Sequence, residues 1–226
     1  VGVSMFLGHA LGTDELLKRA DLAMYQAKAA GRNTVRFFDP AIQARLNARA
    51  ALEADLRQAV QRNELVLHYQ PQVDTQGRCL GVEALVRWEH PQRGQVQPLD
   101  FIPLAEETGL ILPIGQWVLC QACSTMAAWE ADPRLAGLGM AVNVSARQLH
   151  QPDFVHNVRV QLRSHGIDPA LLKLEITESM LLDNIEQTVE TMQALKALGV
   201  RFSLDDFGTG YSSLNYVKRL PLDQIK

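Results

Sequence analysis

The chain reads as an α/β protein, a (β/α) barrel whose first strand runs antiparallel, and three observations lead there. Strand-like and helix-like runs alternate from residue 65 onward, polar or charged residues recur at or near the ends of successive strand-like runs, and only a short turn joins the first two runs. Those two are LVLHYQPQV at 65–73 and CLGVEALVRW at 79–88, linked through Gly77, which predicts a hairpin. Helices are predicted over 100–108 and 115–130, followed by the strand GMAVNVS at 139–145 and a helix over 152–164. LLKLEIT at 171–177, a helix over 184–198, VRFSLDD at 200–206, a short helix near 211–219 and the beginning of a strand at QIK complete the series. An open parallel sheet shares this alternation. The repeated polar strand ends favour the barrel, because an open sheet gathers its ligand groups at one reversal of strand order.

The first 62 residues follow a different pattern. VGVSMF is a strand candidate, Thr13 is placed to cap a helix reaching about Gly31, and Leu16, Leu17, Ala20, Met24 and Ala27 form its apolar stripe. TVRFF at 34–38 is a further strand. So few elements bury too little core to stand alone, and the chain opens on Val, so residues 1–39 are expected to be the end of a larger domain. Residues 40–62, rich in Ala, Arg and Leu, are expected to form a helical connector. Residues 63–226 then hold the N-terminal part of the barrel, truncated after the start of about the sixth strand. With fewer than the roughly eight strands of such a barrel, the segment alone is expected to expose unpaired sheet edges and to be inactive.

Composition narrows the function. Of 226 residues 47% are hydrophobic and 21% charged, ordinary globular usage, and 22 basic against 25 acidic side chains give a formal charge of −3. That balance offers no global attraction for a nucleic-acid polymer. No uninterrupted apolar run approaches the roughly 20 residues of a membrane span, and no signal peptide opens the chain. Three cysteines argue against a disulfide framework. The expected location is the cytoplasm, with membrane association of the full-length protein left open.

The strand-end set is Glu83, Asn143, Glu175, Asp205 and Lys226, with Asp206 beside the fourth. Each has an ordinary structural role open to it. Glu83 could pair with Arg87, Asn143 could satisfy nearby backbone, Glu175 could pair with Lys173 or Lys226, and Asp205 and Asp206 could cap a turn before Phe207. Together, at the same phase of a repeating architecture, they point to an oxygen-rich site for hard divalent ions and a phosphate-bearing substrate. Asp205 is the candidate bridging carboxylate, and Lys226 the candidate group to orient a water and offset charge at phosphorus. Arg87 follows Glu83 by four residues on one strand, so both face the same way and Arg87 can reach a phosphate.

Other signals carry less. Cys120 and Cys123 lie within a helical pattern and read as buried thiols. Gly208 and Gly210 lack the spacing of a phosphate loop. His68 and His90 read as packed or rim histidines, and Trp88 and Tyr211 as either core residues or stacking partners for a base.

Glu-Ala-Leu at 83–85 within EALVRWEHP, together with YQP at 69–71, NVS at 143–145, LEITES at 174–179, DDFGTGYSSL at 205–214 and the final IK, resembles the bacterial EAL-domain cyclic di-GMP phosphodiesterases from about residue 49 onward. The resemblance implies a TIM-like barrel with an antiparallel first strand and hydrolysis of cyclic 3′,5′-di-GMP to linear 5′-pGpG. It implies that Glu83, Asn143, Glu175 and Asp205 ligate one Mg²⁺ or Mn²⁺, that Asp205 and Asp206 serve a second, and that Lys226 is the catalytic lysine. Gln70, Leu85 and Arg87 would contact the dinucleotide. A homodimer through helices around 184–198 and 211–219 is a further implied possibility. SMF followed by ADLAMYQAKAAGRN at 20–33 resembles the C-terminal end of a GGDEF diguanylate cyclase domain without its signature loop, and an upstream sensor is expected. Two other functions compete: a catalytically inactive cyclic di-GMP receptor or scaffold, and an unrelated metal-dependent sugar or acyl enzyme on the same fold.

Overall fold

A computed structural model describes residues 1–6, 11–177, 184–205 and 219–226, and its contacts divide the chain into two units, Val1–Asp55 and Leu56–Lys226. In the first, β1 (Gly2–Val3) and β2 (Arg36–Phe37) pair in parallel and α1 (Thr13–Ala29) packs on both. Ala23 and Ala27 are its buried residues. Gly2 passes so close to the α1 backbone at Ala20 and Met24 that a Cβ there would overlap it, which makes glycine the residue that fits. The N-cap of α1 is Gly12 and no side chain caps it, so Thr13 is its first helical residue rather than its cap. α2 (Pro40–Ala59) starts on proline, whose missing N–H would have lacked a partner in the first turn anyway.

The second unit is built on a sheet of β3 (Leu65–Val73), β4 (Cys79–His90), β5 (Gly94–Val96), β6 (Gly139–Asn143), β7 (Leu172–Thr177), β8 (Arg201–Asp205) and β9 (Gln224–Ile225). The order is β3-β4-β6-β7-β8-β9, with β5 added to β4. β3 and β5 run antiparallel to β4, and the remaining pairs are parallel, so the fold is α/β with a mixed sheet. α3 (Pro98–Thr108), α4 (Ile111–Trp129), α5 (Ala146–Leu149), α6 (Phe154–His165) and α7 (Ile185–Lys196) occupy the connections. The predicted helix near 211–219 lies almost wholly outside the described residues.

Period-two alternation decides which face each strand gives to the helices. In β4, Val82, Ala84 and Trp88 are buried, and the Trp88 ring meets Phe101 of α3 edge-on at 5.7 Å. Trp88 donates its indole N–H to the buried Glu64 carboxylate at 3.0 Å, which makes it a core residue rather than a stacking platform for a base. From β3, Tyr69 bonds Thr125 of α4 at 2.8 Å. Leu172, Leu174 and Ile176 of β7 and Phe202 and Leu204 of β8 are fully buried. The alternate residues, Glu83, Leu85 and Arg87, then Lys173 and Glu175, then Ser203 and Asp205, occupy the opposite face.

Among the described residues, β5 and α5 have no counterpart in the sequence reading. β5 follows a turn in which His90 Nδ1 accepts the N–H groups of Gln92 and Arg93 at 3.1 and 3.2 Å, so this histidine shapes a loop. α5 opens with a capping box, the Ser145 hydroxyl accepting the Gln148 N–H at 3.3 Å while the Gln148 side chain accepts the Ser145 N–H at 3.1 Å. α4 begins at Ile111 rather than 115, because Pro113 falls in the first turn where its missing donor costs nothing. Among the described residues it is the helix long and apolar enough to cross a membrane, and eight of its 19 residues, from Ile111 to Met126, are buried within the protein. Cys123 is buried while Cys120 is exposed, a correction to the reading of both as buried. Burial, with the Cys120 charge adding to it, pushes the Cys123 thiol up to about 12.

Candidate metal and phosphate site

Register brings the predicted residues together, although Glu83 lies in the middle of β4 and Glu175 two residues before the end of β7 rather than at strand ends. Gln70 of β3 stands opposite Glu83 of β4, Glu83 aligns with Ala141 of β6, and Asn143 at the end of β6 aligns with Glu175 of β7. Thr177 aligns with Asp205 of β8. The β6 end is fixed on its neighbour by the Val144 N–H, which donates to the Glu175 carbonyl at 2.9 Å, and the capped turn of α5 follows at once. The segment after β9 is fixed by the Lys226 N–H on the Leu204 carbonyl at 2.8 Å, which brings the lysine level with Asp205.

Glu83, Glu175 and Asp205 each offer a carboxylate oxygen to one cluster, all within 4.8 Å of one another. Such a group of acids repels itself unless a cation compensates it. Here Lys226 does so: its Nζ donates to Glu175 Oε2 at 2.5 Å and Glu83 Oε2 at 3.4 Å and lies 4.0 Å from Asp205 Oδ2. Burial works against the ammonium, but the Glu175 hydrogen bond and the charges of Glu175, Glu83 and Asp205 outweigh it and raise the Lys226 pKa above the ordinary lysine value. Asn143 donates Nδ2 to Glu83 Oε1 at 2.8 Å, leaving its carbonyl oxygen as an acceptor at the rim. The donor set is entirely oxygen, the chemistry that suits Mg²⁺ or Mn²⁺.

The other predicted residues divide. Gln70 lines a cavity of about 470 Å³ on the same sheet face, with Gln72, Glu83, Lys173, Arg201 and Lys226. Leu85 and Arg87 share the Glu83 face by parity, and Arg87 donates to its own strand at the Val86 carbonyl, 2.9 Å away. Asp206 and Tyr211 lie outside the described residues. Gln72, Lys173 and Gln224 were not among the predicted site residues, yet they form a polar row beneath Glu175. Lys173 Nζ donates to Gln72 Oε1 at 2.8 Å and Gln224 Oε1 at 3.0 Å and sits 3.7 Å from Glu175 Oε1. Their signal was parity: Gln72 shares a face with Gln70, Lys173 with Glu175, and Gln224 with Lys226.

The family model described as EAL domain matches residues 53–226. The chain belongs to the EAL-domain family. Over its whole length this EAL chain is 46% identical to the bifunctional diguanylate cyclase/cyclic di-GMP phosphodiesterase MucR of Pseudomonas aeruginosa, covering 33% of that protein. It is 44% identical to the cyclic di-GMP phosphodiesterase NbdA of the same organism, again along its full length and over 29% of the relative. It therefore spans about a third of the length of the curated relatives it matches. Among solved structures, the MucR phosphodiesterase in complex with cyclic di-GMP superposes with a TM-score of 0.73 at 48% identity, over 77% of this chain and 71% of that one.

Proposed function

We propose that this EAL domain hydrolyses cyclic 3′,5′-di-GMP to linear 5′-pGpG in a bacterial second-messenger pathway. The observation that carries the reading is the convergence of Glu83, Asn143, Glu175, Asp205 and Lys226 on one sheet face. The names of the relatives and the cyclic di-GMP in the MucR complex support the choice of substrate.

In this reading Glu83, Asn143, Glu175 and Asp205 hold one Mg²⁺ or Mn²⁺, and Asp205 with Asp206 serves a second. Bound there, such ions supply an activated water and neutralise charge on the phosphodiester. Lys226 yields its central place among the carboxylates and becomes a mobile donor that holds the attacking water and meets the charge growing on the phosphoryl oxygens. The new bond joins water oxygen to phosphorus, and the ribose 3′ oxygen leaves with its electron pair and takes up a proton. Gln70, Leu85 and Arg87, on the Glu83 face of the hairpin, contact the dinucleotide, with Arg87 turning from its own backbone to a phosphate. The mixed sheet is the first part of a TIM-like barrel, residues 1–39 are the end of a GGDEF domain joined by the connector at 40–62, and α7 contributes to a homodimer. The GGDEF assignment rests on the motif ADLAMYQAKAAGRN at 20–33.

Calorimetric titration of cyclic di-GMP in EDTA and in Mg²⁺, followed by product chromatography, tests the reading. Metal-dependent appearance of linear pGpG is the expected result. Binding without turnover at saturating Mg²⁺ and Mn²⁺ would instead make the domain a receptor, and absence of binding would remove both.

A further inference from the structure

We propose that Lys173, held by Gln72 and Gln224, is a positioning residue that fixes the orientation of the Glu175 carboxylate and thereby tunes metal affinity. The proposal rests on the metal-site reading above and concerns a row of residues beneath it.

Glu175 is the most enclosed acid of the cluster, its side chain fully buried where Glu83 and Asp205 retain 18% and 29% exposure. Water therefore does not set its orientation; its neighbours do. Its two oxygens have separate partners. Oε1 accepts from Gln72 Nε2 at 3.4 Å and lies 3.7 Å from Lys173, whereas Oε2 accepts from Lys226 at 2.5 Å. One oxygen thus belongs to the row beneath and the other to the acid cluster.

Lys173 is itself immobilised. It donates to Gln72 Oε1 and Gln224 Oε1, so one ammonium on β7 joins side chains of β3 and β9, the two strands at the ends of the sheet order. Gln72 uses both ends of its amide, the carbonyl accepting from Lys173 and the NH₂ donating to Glu175, which leaves the carboxylate a single favoured rotation. The two lysines consequently have different duties. Lys226 has to vacate the centre of the cluster for an ion to enter. Lys173, one register row away opposite Ala141 and Arg201, keeps its contacts. Groups behind metal ligands commonly change affinity by about 10–100-fold when removed.

The test is Lys173→Met, of similar length but without donors, with Lys173→Arg as the conservative variant, both in the full-length protein. Mn²⁺ binding is measured without substrate by electron paramagnetic resonance of the free ion, alongside kcat and KM for cyclic di-GMP at saturating Mn²⁺ and melting temperature. Expected are about 10-fold or greater weakening of Mn²⁺ binding in Lys173→Met, little change in KM, and substantial recovery in Lys173→Arg. Gln72→Ala should weaken binding in the same direction, and the double variant should lose less than the sum, since both act through one carboxylate. If Lys173→Met does not fold, Gln72→Ala and Gln224→Ala carry the test. Unchanged or tighter Mn²⁺ binding in the folded variants overturns the proposal, because the lysine would then act only as a repelling charge. A parent that binds Mn²⁺ but leaves cyclic di-GMP intact defeats the hydrolytic reading while leaving this one standing. A parent without Mn²⁺ affinity defeats both.

Discussion

Asp205 and Glu175 belong to the same cluster but are held in different ways, and the difference predicts how each tolerates change. Glu175 is enclosed on every side, whereas Asp205 sits at the end of β8 with 29% of its side chain exposed and 4.0 Å from Lys226. Asp205→Asn keeps the size of the side chain and part of its hydrogen bonding, so the protein should fold with nearly the parental melting temperature. Hydrolysis should nevertheless fall by roughly 10²-fold or more, the cost of losing one strong transition-state electrostatic contact. Initial rates of pGpG formation measured beside melting curves check this, and near-parental turnover in a folded variant would remove Asp205 from the chemistry. Glu83, Asn143, Glu175, Asp205 and Lys226 could be read from the sequence because each is a polar or charged residue within or at the end of an otherwise apolar strand-like run. Parity puts Lys173, Gln72 and Gln224 on the same face, but that they join into one row behind Glu175 could not be read, because that depends on strand register. Both lysines had been weighed as partners for Glu175, and the structure gives it both, one on each oxygen.

At the scale of elements, β9 depends on a side chain. Two residues give it a short ladder on β8, and Asp223 just before it supplies the rest. Its N–H donates to the Phe202 carbonyl at 2.9 Å, Oδ2 accepts the Phe202 N–H at 2.8 Å, and Oδ1 accepts from Lys196 of α7 at 2.6 Å. Asp223→Ala leaves a donor on a buried residue without its partner, which costs about 1–3 kcal/mol, and urea unfolding at neutral pH should show a loss in that range. Turnover should fall further than stability alone accounts for, since the segment that carries Lys226 is loosened. Burial tends to raise the Asp223 pKa, but Lys196, the Phe202 N–H and the charge of Arg201 outweigh it and hold the carboxyl below its usual value of 3.8. Its contribution is therefore present above that value and fades as pH falls through the lower folded-state pKa. The gap between parent and variant should narrow only at strongly acid pH, and a gap that closes near neutrality would point to a histidine instead. The long elements were legible because alternation over nine and 12 residues fixes β3 and β4. The three residues of β5 and four of α5 are too short for any period to register.

On the scale of the molecule, a cluster of three acids that an ion can occupy links the ligand state of the Leu56–Lys226 unit to its stability. An ion that binds the folded form and not the unfolded one adds about 2.7 kcal/mol at 100 times its dissociation constant. For a unit of this size that corresponds to a rise of several degrees in melting temperature, roughly 2–4 °C per kcal/mol. Mn²⁺ titrated into EDTA-treated protein should therefore raise the transition of this unit, and Asp205→Asn should abolish most of the rise. Lys226→Met provides the sharper contrast. In the metal-free protein Lys226 neutralises the carboxylates by direct contact, and an incoming ion has to displace it. Removing that internal competitor should shift the titration to lower Mn²⁺ while turnover disappears, opposite in direction to the weakening expected for Lys173→Met. Calorimetric melting across a Mn²⁺ series for the parent and the three variants reads all of this at once. If Lys226→Met and Lys173→Met moved the titration in the same direction, the two lysines would share one electrostatic role, and the division of labour around Glu175 would be wrong.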